Sequence, residues 1–215
     1  VTAPDTRLPE PLRPLWTPQW LTEARRKAIH LSFIVLPLEL LLEWLPWPRT
    51  RGEFRACFLA LTVAAVALDV LRIHERRVRT FFRTFFGEMI REHERISLLG
   101  STYLLLAALI AIEVFPQDLA AAALGFTVLG DAVGALVGRA WGRHRVFNKS
   151  LEGALGCLAA CLAWAAFVTW ASPVPWPVVL AGAVVATLVE ALPIPLDDNL
   201  GITLAAGYTM RLLAG

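Results

Sequence analysis

Apolar residues along this chain gather in blocks of roughly 17–22, the length a helix needs to cross the hydrocarbon layer of a bilayer. Seven such blocks are readable, over 28–47, 55–73, 98–115, 118–139, 151–172, 177–193 and 199–214. One alone resembles a buried helix of a soluble protein, but seven in succession do not. The expected fold is therefore all-α, a polytopic transmembrane helical bundle of about seven spans. Short connections at 116–118, 173–176 and 195–198 make the helices they join antiparallel neighbours.

The stretch 74–96 departs from this pattern. Val78, Phe81, Phe82, Phe85, Phe86, Met89 and Ile90 recur every three or four residues, and Arg76, Arg77, Arg79, Arg83 and Arg91 supply most of the polar face. A helix of this kind lies on a membrane surface, because water offers no place for four phenylalanines. It predicts a cytoplasmic amphipathic interfacial helix, with Phe81, Phe82, Phe85 and Phe86 forming a lateral path for a lipid. Ahead of the first block, residues 1–24 read as a Pro-rich lead-in with Pro4, Pro9, Pro11, Pro14 and Pro18 and no apolar signal-peptide core. Residues 25–215 read as one transmembrane domain.

Composition changes this picture only through placement. With 57% hydrophobic and 18% charged residues and a mean hydropathy of +0.59, the chain is more apolar than a soluble domain of its 215 residues. The seven-span reading puts Arg49, Arg51, Arg55 and Arg211 on one side and the rest of the 20 basic residues on the side of the N-terminus. By the positive-inside rule the N-terminus is cytoplasmic and the C-terminus lies opposite, with Trp44, Trp47, Trp170 and Trp176 in an outer aromatic belt. Cys57, Cys157 and Cys161 lack disulfide or metal spacing and read as packing residues.

A carboxylate within a span costs a few kcal/mol and asks for a reason. Asp131 lies in GDAVGALVGRAWG, where Gly130, Gly134, Gly138 and Gly142 recur every fourth residue. On an ideal helix Gly138 and Gly142 project within about 20° of Asp131, and Arg139 within about 80°. The bare face admits a ligand or another helix, including one from a second copy, so a homo-oligomer is open to it. Further polar groups reach the same membrane face. They are Arg26, Lys27 and His30 at the first span, then Lys149, Ser150, Glu152 and Gly153 before the fifth, then Glu190, and then Asp197, Asp198 and Asn199 at the last. Ser150 and the 197–199 group also fit ordinary helix caps. Elsewhere, Asp69 and Arg72 stand three apart and are expected to pair, Glu43 and Glu113 lie near the outer interface, and Glu39 has no evident role.

Basic side chains, helix N-termini and carboxylates on one face suit a metal-bound polyphosphate. A soluble type of nucleotide site is excluded: Lys149-Ser150 lacks the upstream glycines of a P-loop, and no GxSxG, HExxH or GxGxxG occurs. No nucleic-acid partner is expected.

At these residues the chain resembles the CTP-dependent lipid-alcohol kinases, which include dolichol, phytol and farnesol kinases and the yeast-type diacylglycerol kinase. The resemblance rests on Arg26-Lys27-x-x-His30, on Glu94 followed by Gly100-Ser101-Thr102-Tyr103, and on Gly130-Asp131 with Gly138 and Gly142. It continues through Lys149-Ser150-Leu151-Glu152-Gly153, Glu190 and Asp198-Asn199. The resemblance implies transfer of the γ-phosphoryl group of CTP to the hydroxyl of a polyprenol, isoprenol or diacylglycerol, in a catalytic domain spanning 25–215. Under it Asp131, His30 and Lys149 are catalytic, with His30 or one of the carboxylates taking the hydroxyl proton. Arg26, Lys27, Gly138, Arg139, Gly142, Ser150, Glu152 and Gly153 bind the nucleotide, and Asp131, Glu190 and Asp198 hold Mg²⁺. The CDP-diacylglycerol synthases share the Gly-Asp helix, but their loop typically reads Ser-Pro-Lys-Lys-Thr where this chain has Phe147-Asn148-Lys149-Ser150. An ion-coupled transporter is a third reading, weakened because the polar residues cluster at one end rather than crossing the midplane.

Overall fold

The computed structural model describes residues 18–87, 89–147 and 149–215. The lead-in expected over 1–24 thus lies mostly outside the described residues, and a helix already begins at Pro18. In chain order the helices are α1 (Pro18–Ser32), α2 (Val35–Leu42), α3 (Arg51–His74), α4 (Arg76–Phe86), α5 (Gly100–Val114), α6 (Gln117–Gly125), α7 (Asp131–Trp141), α8 (Leu151–Ala171), α9 (Trp176–Ala191) and α10 (Asp198–Ala214). Two-residue strands, Arg145–Val146 and Lys149–Ser150, pair antiparallel between α7 and α8.

Helices occupy all seven apolar blocks, but among the described residues three are long and apolar enough by themselves to cross a membrane: α3, the continuous rod Gln117–Trp141, and α8. The first block is not one helix. Proline lacks a backbone N–H and its ring collides with the carbonyl four residues back. Pro37 therefore disfavours continuity at Phe33, where a turn over Phe33–Ile34 separates α1 from α2. The interfacial helix is also shorter than the predicted 74–96. It ends at Phe86, where Gly87 lowers helix propensity, and the chain then turns into a short 3₁₀ segment, His93–Arg95.

The rod Gln117–Trp141 lies at the centre: 67% of its apolar window is buried, against 22% for α3 and 28% for α8. Around it α2, α5, α8, α9 and α10 pack on its first half and α1 and α8 on its second. Ala120, Ala121, Ala122 and Ala123 are fully buried, small side chains that let neighbouring helices approach closely. Outward faces carry exposed Leu59, Val63 and Leu68 on α3, Leu155 and Trp170 on α8, and Leu188 on α9, as a lipid solvent allows.

Midway the rod widens into a π-helical turn, Phe126–Gly130. There α8 reaches its carbonyls: the Trp164 indole N–H donates to Ala122 O at 3.2 Å and the Cys161 thiol to Phe126 O at 3.8 Å. Side chains competing for main-chain acceptors are a known cause of such irregularity. Gly125 makes room for the indole, since a Cβ there would stand 2.0 Å from it. The turn delivers Asp131 to the start of α7.

Candidate active site

Three groups of polar residues meet at one end of the bundle. From α1, the half-buried His30 and the buried Lys27 face Asp131: Lys27 is ion-paired with its carboxylate, and His30 Nε2 lies 3.5 Å from Asp131 Oδ2 and 3.4 Å from Thr127 O. Helical spacing explains the grouping, because residues three and four apart share a face. Glu23, one turn earlier and also buried, pairs with Arg26 and, through its other oxygen, with Arg139 of α7 at 3.2 Å.

A second cluster forms around Lys149. Its ammonium lies 3.1 Å from both Glu190 Oε1 and Asp198 Oδ2 and also donates to the Glu190 carbonyl. Burial works against its charge, but the carboxylates of Asp198 and Glu190 prevail and hold its pKa above the ordinary lysine value. The preceding turn is tight, with Phe147 in the left-handed region at φ 55°, and the two-residue ladder aims Lys149 inward.

The third part is the N-terminus of α5. Buried Glu94 accepts from Gly100 N at 3.0 Å and from Arg91 N at 2.8 Å, while Asp69 accepts from Leu99 N and the Thr102 hydroxyl. Arg72 is salt-bridged to Asp69 at 3.0 Å, as their spacing predicts, and donates to the Glu94 and Ser97 carbonyls. This network accounts for four otherwise costly buried polar groups and fixes the approach to Gly100.

The first and third of these groups, with α4, the segment after it and Asn199, line a cavity of about 220 Å³, and the Lys149 cluster adjoins it. Arg26, Lys27, His30, Arg91, Asp131 and Asn199 line its polar side; Phe82, Phe86, Met89 and Ile90 line the other. The predicted phenylalanine path therefore divides. Phe82 and Phe86 face the cavity with ring centroids 5.7 Å apart, whereas Phe81 and Phe85 form their own pair, 53% and 65% exposed, on the outer surface.

Several residues expected at the nucleotide meet other helices instead. A Cβ on Gly138 would lie 3.0 Å from Ser150 Oγ and one on Gly134 3.1 Å from Cys157 Cβ, so the glycine row seats α7 against α8. Gly142 and Gly153 belong to the same contact. Ser150 caps α8 by accepting from Gly153 N at 3.1 Å. Glu152 closes the 142–151 loop, accepting from Arg143 N and bonding His144 Nδ1 at 2.7 Å. Asp131, Glu190 and Asp198 likewise do not form a ready ligand set: among the described residues no group of three or more His, Cys, Asp or Glu is placed to hold a metal. The sequence reading had missed Glu23, whose signal was its three- and four-residue spacing to Arg26 and Lys27. It had also missed that Arg91 joins the site.

The chain is 26% identical over 169 residues to CTP-dependent diacylglycerol kinase 1 of Schizosaccharomyces pombe, covering 70% of this chain and 77% of that protein. The chain is thus similar to a CTP-dependent lipid kinase over most of its length. An uncharacterized protein of Rickettsia prowazekii is 25% identical over 190 residues, 85% of this chain and 90% of its own length. No family model and no solved structure matches. With this kinship, the motifs traced in the sequence fall on the cavity (Arg26, Lys27, His30, Asp131, Asn199) and on the adjoining Lys149 cluster.

Proposed function

We propose that the protein transfers the γ-phosphoryl group of CTP to the hydroxyl of a membrane lipid, releasing CDP and a lipid monophosphate. One observation carries this reading: a single cavity joins an apolar wall continuous with the membrane-surface helix α4 to a floor of Arg26, Lys27, His30 and Asp131. An acyl or isoprenoid chain fits the first and phosphates the second. The fission-yeast relative favours diacylglycerol as acceptor. Dolichol and phytol would present a hydroxyl at the same depth.

In the proposed step the lipid oxygen forms a bond to the γ-phosphorus and the bond from that phosphorus to the β–γ bridging oxygen breaks, its electron pair leaving with CDP. The hydroxyl proton passes to His30. Thr127 O and Asp131 orient the Nε2 edge of the ring as a donor, which leaves Nδ1 to accept. Lys149, Arg26, Lys27 and Arg139 offset charge on the phosphates as it shifts toward the leaving group. Lys149, its pKa raised, stays cationic throughout.

The oxygen donors suit Mg²⁺, which binds one or two carboxylates and keeps water and phosphate ligands rather than demanding an all-protein cage. Glu190 Oε2 and Asn199 Oδ1 are buried and have no hydrogen-bond donor among the described residues. Asp131, Asp198 and Glu190, which are not gathered into a ready-made cage, are the carboxylates that would hold the ion, and it would supply positive charge against the phosphates. We further propose that α1 with α2, α3, α5, the rod, α8, α9 and α10 make seven passages, with the N-terminus and the site cytoplasmic and the C-terminus opposite.

Purified protein in lipid nanodiscs, given CTP labelled at either the α- or γ-phosphate and a panel of diacylglycerol, dolichol, phytol and phosphatidic acid, tests the reading. Label from the γ-position in lipid, with CDP released, is expected. Label from the α-position in lipid, with pyrophosphate released, would establish a cytidylyltransferase instead.

A further inference from the structure

Arg26 does not stand alone in the cavity wall. The carboxylate of Glu23 is 6% exposed and spends each oxygen on a different guanidinium, Oε1 on Arg26 of its own helix and Oε2 on Arg139 of α7. Like charges brought together repel, so two arginines stay adjacent only if an anion sits between them. The triad keeps one net positive charge. Each guanidinium carries five N–H donors, and the side chains remain 21% and 49% exposed, so both retain donors for a second anion. Simple attachment of α1 to α7 does not require this arrangement, since Lys27 and Asp131 already join those helices.

We propose that Glu23 is a positioning residue that holds Arg26 and Arg139 as a paired clamp for adjacent phosphates of the nucleotide. The inference rests on the CTP reading above. It assigns Glu23 no contact with substrate. It acts through the two arginines, whose fork geometry matches phosphate oxygens only when the planes are held.

The test uses full-length protein in nanodiscs, with steady-state kinetics in CTP and in lipid, equilibrium binding of a non-hydrolysable CTP analogue, and thermal unfolding. Glu23→Gln is expected to raise the CTP KM and the analogue Kd by about tenfold, the loss of one oriented charge-assisted contact. The lipid KM should stay within about twofold, while kcat falls with the affinity for CTP because the same arginines face the phosphates during transfer. Glu23→Asp, which keeps the charge, should recover most of the affinity. In an Arg139→Gln background the same Glu23→Gln change should raise the analogue Kd by much less, because the pair is already broken. An unchanged Kd in Glu23→Gln, or equal penalties in both backgrounds, would overturn the clamp. A Kd change that merely follows a lowered unfolding temperature, unrescued by Glu23→Asp, would do the same. If wild-type protein fails to bind the analogue, the CTP reading itself falls. If wild-type binds and the variant is indistinguishable from it, only the role of Glu23 is lost.

Discussion

At the end of the bundle away from the cavity, Arg51 donates to the carbonyls of Ile112, Glu113 and Phe115 at 2.6–3.1 Å, and Arg211 to Val114 O. Glu39, which the sequence left without a role, accepts from Leu45 N at 3.3 Å, and Gln117 donates to Leu40 O. These bonds go to backbone left unpaired where a helix stops, and the side-chain pairs at that end, Gln117 with Glu43 and Arg55 with Glu113, lie on its exposed rim. At the cavity end Lys27, Asp131, Lys149, Glu190 and Asp198 are spent on one another, and two buried acceptors still lack a donor among the described residues. A charged residue at the end of a span is thus no sign of chemistry by itself. What distinguishes the site is polar capacity left over once the helix ends are satisfied.

The sharpest way to break this comparison is Asp131→Asn. Under the kinase reading it lowers CTP-dependent phosphorylation by about 10³-fold or more, since it removes a carboxylate proposed to hold the ion and to orient His30. It also strands Lys27, a buried cation, at a cost on the order of 3–5 kcal/mol. Lys27→Met combined with Asp131→Asn should therefore unfold at a higher temperature than Asp131→Asn alone while remaining inactive. Recovery of activity in the double variant would reduce the pair to a structural bridge like those at the far end.

Lys149→Met comes next. It leaves Glu190 and Asp198 facing each other without the ammonium between them, and kcat/KM for CTP should fall by about 10²-fold. A fall below about threefold would mean that Lys149 merely joins the 142–151 loop to α9 and α10.

The apolar wall predicts a smaller effect. Phe82→Ala should raise the lipid KM by about five- to tenfold with the CTP KM unchanged, and Phe85→Ala, whose ring lies on the outer surface, by less than about twofold. Equal effects at the two positions would dissolve the distinction between cavity face and membrane face.

Much of this architecture was legible because hydrophobic block length and three- or four-residue charge spacing survive folding almost unaltered. The apolar blocks became helices, and Asp69 and Arg72 paired as their spacing requires. Lys149, Glu190 and Asp198, read as sharing a membrane face, share one cluster. The breaks were written in single residues that a block average hides. Pro37 stops α1 from running into α2, and Gly87 ends α4. The glycine row was ambiguous in principle, because a missing side chain accommodates a ligand and a packed helix equally, and only the position of α8 decides. Glu23 was hidden for another reason: its second partner, Arg139, is distant in sequence, and no local pattern connects them.

The smallest expected effect tests the far end. Arg51→Gln removes the guanidinium that gathers three carbonyls where α5 ends. Water can replace part of that bonding at an exposed position, so the loss is about 1 kcal/mol, or an unfolding midpoint lower by about 2–4 °C. The opposite end of α5 begins at Gly100 on the cavity wall, held separately by Glu94 and Asp69 through the segment that precedes it. If those anchors fix the wall independently, the CTP and lipid KM values of Arg51→Gln match wild type at temperatures below the transition. A raised lipid KM there would show that α5 carries strain from one end of the bundle to the other, and the two ends would no longer be independent.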